Sequence, residues 1–125
     1  MQNYSVNKVD NKEKRVNEIV PSCLYKIVSV DGWAASKKDG RVEPSKFDET
    51  FNHLSTADQL ERICTKYWGN VPIFVVLTVD PTKFVGALKL ETNPGGSSKY
   101  YHLYDGHIPL DAVIDAQTIR NDIAL

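Results

Sequence analysis

A chain of 125 residues, 42% hydrophobic and 25% charged, has the size and mix of one globular domain with a sizeable core. Its 15 basic and 16 acidic residues leave a net charge of -1, which lacks the electrostatic footprint of a nucleic-acid or anionic-membrane binder. The longest apolar run, residues 71–79, contains Pro72 and is too short to span a bilayer, and the polar N-terminus has no secretory apolar core, so a cytoplasmic home is expected.

Residues 1–20 lack a steady period and are expected to form a flexible tail, with one folded domain over residues 21–125. Val16, Ile19 and Val20 offer at most one amphipathic turn before Pro21 stops it. Residues 23–30 are β-branched and aromatic and predict a strand. Asp31 is placed to cap a short helix carrying Trp33, Ala34 and Ala35, and residues 37–48, with Gly40, Pro44 and many charges, read as a solvated loop. A second strand is expected over residues 51–55. The helix over residues 56–69 is the clearest element: Thr56 caps it, Gln59 reaches back to the Thr56 amide, and Gly69 stops it. Its stripe of Ala57, Leu60, Cys64, Tyr67 and Trp68, widened by Ile63, predicts packing through Leu60, Cys64 and Tyr67.

Residues 73–79 are almost wholly apolar, the mark of a strand buried on both faces. Residues 87–91 and 100–104 flank a Gly- and Ser-rich loop as a hairpin, and residues 112–119 make a last strand. The sum is an α+β domain of about six strands, one main helix and one or two small ones. Cys23 and Cys64 match neither a zinc nor a C-x-x-C spacing and are expected as reduced, buried, small hydrophobes.

Two strands carry chemistry. His53 and Ser55 share one face beside a helix N-terminus, an arrangement that can hold a ribose or an anion, or in which the imidazole satisfies a buried carbonyl and Ser55 helps cap the helix. His102 and Tyr104 repeat the spacing later, with Glu91 across the hairpin loop. If those strands pair, a carboxylate, an imidazole and a phenol converge as an acid–base group, or as a network that sets register. Tyr25 either stacks on a base or fills the cleft, whereas Trp33 and Trp68 read as core. The histidines show no i,i+4 pair, and His107 reads as part of a Gly-flanked turn, so no metal site is expected.

Several pieces together resemble the domain of unknown function 952 family: Leu24-Tyr25-Lys26-Ile27, Trp33, the run from His53 to Leu60, Thr78-Val79-Asp80-Pro81, Leu88-Lys89-Leu90-Glu91, His102-Leu103-Tyr104 and the run from Ile108 to Val113. That family is similar in fold to the ADP-ribosyltransferases. The resemblance implies a bent, split, largely antiparallel sheet with a cleft between its halves. The run from His53 to Leu60 also looks like the strand-to-helix step of RNA 2′-phosphotransferases, which use NAD to remove a phosphate from RNA. NAD is thus implied by fold resemblance alone.

The chain departs from the transferase pattern. Lys26 stands where a histidine or arginine is usual, and Arg15, Arg41, Arg62 and Arg120 lie in no matching motif. Glu91 is the candidate for the late-strand glutamate of toxin-type transferases. A glutathione transferase label attached to some family members does not fit, because that fold needs two domains. The expectation is a small-molecule site for a nucleotide-like or phosphorylated ligand, with transfer or hydrolysis at a ribose as the reaction class. Glu91, His102 and His53 are its candidate catalytic groups, and Tyr25, Lys26, Ser55, Thr56 and Tyr104 its binding groups. His53 and His102 are expected to approach one cavity, with Tyr25 and Glu91 on its wall. The alternative is a binding or interaction module that kept the fold and lost the chemistry.

Overall fold

The computed structural model describes residues 19–121 apart from Lys46, Glu49 and Pro94. Of the expected tail, only Ile19 and Val20 fall among the described residues, and both are exposed. In chain order the elements are β1 Leu24–Val28, α1 Val30–Asp39, β2 Asn52–Leu54, α2 Ala57–Trp68, β3 Ile73–Val79, β4 Val85–Thr92, β5 Lys99–His107 and β6 Val113–Arg120. The strands form two three-stranded antiparallel sheets, ordered β1-β3-β6 and β2-β5-β4. Among the described residues they meet at the bridge where Tyr25 and Ser55 exchange backbone hydrogen bonds of 2.8 and 2.9 Å.

The apolar run of β3 explains the layering. Val75, Leu77 and Val79 point into a cluster shared with Leu54, Tyr101 and Leu103 of the second sheet. Phe74 and Val76, on the opposite face, pack with Ile27 and Trp68, and Leu60, Ile63 and Cys64 of α2 join them. Thus β3 is buried on both sides, between the second sheet and α2. At about 25 cal/mol per Å2, burial of this apolar surface is what holds the layers together.

α2 is built as its sequence requires. The Thr56 N–H donates to Gln59 Oε1 at 3.0 Å, and Gln59 Nε2 donates on to the Lys99 carbonyl at 2.7 Å, tying the helix start to β5. Tyr67, expected to pack inward, is instead 41% exposed. It lies at the margin of the stripe, with its ring against the edge of Phe47 at 5.4 Å.

Four further expectations need correction. The helix in the first half is longer than its sequence suggests, so the domain has two helices of 10 and 12 residues. Ser29, not Asp31, caps α1 by accepting the Gly32 N–H, and Gly40 at φ 78° ends it, so residues 37–39 are helix, not loop. Cys23 and Cys64 are free and half-buried rather than buried. His107 is not in a turn but ends β5, opposite Val85. There the backbones cross so closely that a Cβ on Gly106 would lie 1.7 Å from the Val85 carbonyl oxygen. No helix among the described residues is long and apolar enough to cross a membrane.

Candidate functional site

Strand alternation sorts the second sheet into an inner face and a chemical face. Leu54, Tyr101, Leu103, Leu88 and Leu90 face the core. His53 and Ser55 of the β2 side, Tyr100, His102 and Tyr104 of β5, and Lys89 and Glu91 of β4 therefore share the other face. His53 stands directly opposite His102, and their rings meet edge to face with centroids 5.3 Å apart. Phe51 stacks on His102 at 4.0 Å and also touches His53 and Tyr104.

His102 is fully buried, at 0% exposure, and both of its ring nitrogens are engaged. Nδ1 faces Glu91 Oε2 and Nε2 faces Asn93 Oδ1, each at 2.9 Å. The Tyr104 hydroxyl donates to the same Glu91 oxygen. Bonds from His102 and then Tyr104 hold the Glu91 carboxyl below its ordinary value, and the same bond raises the Tyr104 phenol. Glu91, His102 and Tyr104 therefore converge, with the carboxylate half-buried at the surface.

A second cluster centres on Asp48, which the sequence places in a charged loop. Its side chain is 1% exposed. Oδ1 accepts the His53 main-chain N–H at 3.0 Å and the ring Nδ1–H at 2.9 Å. Oδ2 accepts the Ser45 N–H at 2.7 Å and the Lys26 ammonium, which also donates to the His53 carbonyl at 3.1 Å. Burial pushes the Asp48 carboxyl up, but the bonds from His53 and Lys26, the Lys26 charge and the Ser45 N–H outweigh it and hold the group far below the usual carboxylate range. Burial lowers the Lys26 ammonium, and Asp48 opposes that shift. Lys26 is thus an internal counter-ion.

Beside these clusters lies a cavity of about 180 Å3 at the junction of the two sheets and α2. Its aromatic lining includes Tyr25, Phe47, Tyr67, Trp68 and Tyr100, and its polar lining includes Lys26, His53, Ser55 and Asn93. Ser55 is 5% exposed, and its hydroxyl has no partner among the described residues. Of the sequence candidates, Tyr25, Lys26, His53 and Ser55 line the cavity. Glu91, His102, Tyr104 and Thr56 do not. His102 touches its wall from behind, through Asn93 and the His53 ring, and the Thr56 hydroxyl donates to Asp58 at 2.5 Å. The expected meeting of His53 and His102 occurs, but only His53 is on the wall.

Asp48, Asn93 and Phe51 were not legible as site residues. A lysine at a core-facing position of β1 was the available signal that a buried carboxylate must exist. Arg62 also matched no motif, yet from α2 it donates to the hydroxyl of Tyr100, a wall residue. No group of three or more His, Cys, Asp or Glu side chains among the described residues is gathered to hold a metal ion.

A family model described as a protein of unknown function, DUF952, matches residues 27–116. The crystal structure of protein CC0527 from Caulobacter crescentus is similar at 31% identity and a TM-score of 0.68, over 77% of this chain and 84% of that one. The solution NMR structure of CC0527 gives 29% identity and a TM-score of 0.66, over 82% and 88%. No curated protein matches the chain.

Proposed function

We propose that the chain, which belongs to the DUF952 family of proteins of unknown function, binds a nucleotide-like ligand, ring first, in a split-sheet cleft of the ADP-ribosyltransferase type. One observation carries this reading: a buried Ser55 hydroxyl without a partner among the described residues, on the wall of an aromatic-lined cavity. An unsatisfied buried hydroxyl costs about 1–3 kcal/mol, a cost that a ligand polar atom removes. Apolar walls with a few placed polar groups are the ordinary make-up of a small-molecule site. An engineered cavity of about 150 Å3 accepts benzene, so about 180 Å3 suits one heteroaromatic ring. The sugar and any phosphate then lie outside. Arg62 is the nearby cation for them, because Lys26 is already matched by Asp48.

The fold reading is supported by two unclosed antiparallel sheets joined at the Tyr25–Ser55 bridge. Glu91 is the carboxylate available for transfer or hydrolysis at a ribose, in line with its late strand. A non-enzymatic binding module is the second reading. It is favoured by the way Glu91, His102 and Tyr104 bond one another outside the cavity lining.

A thermal-shift screen with NAD, ADP-ribose, AMP and adenosine tests the binding claim. Ligand at 100 times its Kd stabilises by about 2.7 kcal/mol and raises Tm in a concentration-dependent way. No shift with any of the four at millimolar concentration contradicts the reading. For a ligand that binds, turnover abolished by Glu91→Gln supports the enzyme, and the absence of turnover in the unaltered protein supports the module.

A further inference from the structure

Both bonds to Asp48 Oδ1 come from His53, one from its main-chain N–H and one from its ring. Two such contacts fix the imidazole in orientation as well as position. An ionised carboxylate only accepts, so Nδ1 carries the hydrogen, and in the neutral ring Nε2 is left bare. Nε2 has no partner among the described residues, while the ring is 38% exposed and lines the cavity. Two residues along the same strand face, about 7 Å away by strand rise, the buried Ser55 hydroxyl also has no partner among the described residues. Lys26 and the Ser45 N–H meet the other carboxylate oxygen, so Asp48 remains ionised behind the ring in the absence of any ligand.

We propose that Asp48 and His53 form a proton-accepting pair at the cavity wall, in which His53 Nε2 takes the hydrogen of a ligand hydroxyl and Asp48 is the positioning residue that fixes the ring tautomer. In the bound state the ligand O–H donates to Nε2, and Ser55 meets a second polar atom of the ligand. In a reaction the proton passes from that hydroxyl to Nε2 and the electron pair stays on the oxygen. The imidazolium so formed keeps its Nδ1–H on Asp48, whose charge stabilises it. Ligands of this class are hydroxylated and planar at the buried end. The inference rests on the cavity being a ligand site, as proposed above.

Phenol and toluene serve as probes, because they share a shape and differ by one hydroxyl. Each is titrated into the full chain by NMR, and the phenol-to-toluene affinity ratio is compared between proteins. The ratio is expected to fall about tenfold in His53→Phe, the equivalent of one hydrogen bond. It should fall in the same direction in the double variant Lys26→Met/Asp48→Asn, which removes the buried pair together. An unchanged ratio in both variants, with both compounds still bound, overturns the inference and leaves the cavity reading standing. Binding of neither compound to the unaltered protein overturns both. Long-range 1H–15N spectra of the unaltered protein read the tautomer without any variant. A protonated Nδ1 and a bare Nε2 on His53 are expected, and a ring protonated on Nε2 alone overturns the assignment.

Discussion

Asp48 illustrates how a single side chain can organise a site from a loop. Its carboxylate takes two main-chain N–H groups, one imidazole and one ammonium, so its removal leaves the Lys26 charge with only the neutral His53 carbonyl. Asp48→Asn leaves the Lys26 charge buried and unpaired, and a loss of about 3–5 kcal/mol is expected in urea denaturation. Lys26→Met should cost less, because Asp48 keeps its bonds from Ser45 and His53. Equal losses would contradict this division of roles. The pH dependence has a definite sign. Asp48 titrates lower in the folded protein than in the unfolded chain, whose value is about 3.9. Its stabilisation is complete above that unfolded value and is lost as pH falls toward the folded one. Relative to the unaltered protein, the stability of Asp48→Asn should therefore fall less steeply below about pH 4, and parallel acid limbs would count against it. None of this was legible locally. Asp48 sits among Glu43, Pro44 and Lys46 in a stretch that reads as solvated, and its side-chain partners are 5 and 22 residues away.

The elements were legible where one face dominates the sequence. β3 and α2 follow their apolar run and apolar stripe, and Thr56 and Gln59 act where the capping pattern puts them. α1 is less legible, because Ser29 and Asp31 both suit a cap. Its charged last turn, Lys37 to Asp39, also looks like loop until Gly40 is seen as the stop. The β4–β5 hairpin is longer than its sequence suggests, because glycines at its far end look like a turn. Gly106 is there for close approach, and this yields a contrast. Gly40→Ala meets open space and pays only for the left-handed backbone, about 1 kcal/mol. Gly106→Ala drives a Cβ into the Val85 carbonyl and should lose more than about 3 kcal/mol. Comparable melting temperatures for the two variants would show that the crossing opens without cost.

At the scale of the molecule, two sheets share one core and, among the described residues, exchange backbone bonds at the Tyr25–Ser55 bridge, with the cavity at that junction. No residue pattern announces this two-sheet arrangement, since register between distant strands leaves no local trace. A ligand seated there contacts both sheets and α2 together, so it should stiffen the junction and stabilise the whole domain. The two tryptophans report on different places. Trp68 lines the cavity, and Trp33 faces an open groove beside β6. Trp33→Phe therefore leaves one fluorophore, on the cavity wall. Titrating that variant with NAD and with adenosine, excited at the red edge of tryptophan absorption, tests the central claim most directly. A saturable change in Trp68 emission with at least one of them, abolished by filling the wall with Ser55→Leu, is the result expected. A Trp68 emission that stays constant while either compound binds, or that changes equally in Ser55→Leu, would place the ligand elsewhere and contradict the account.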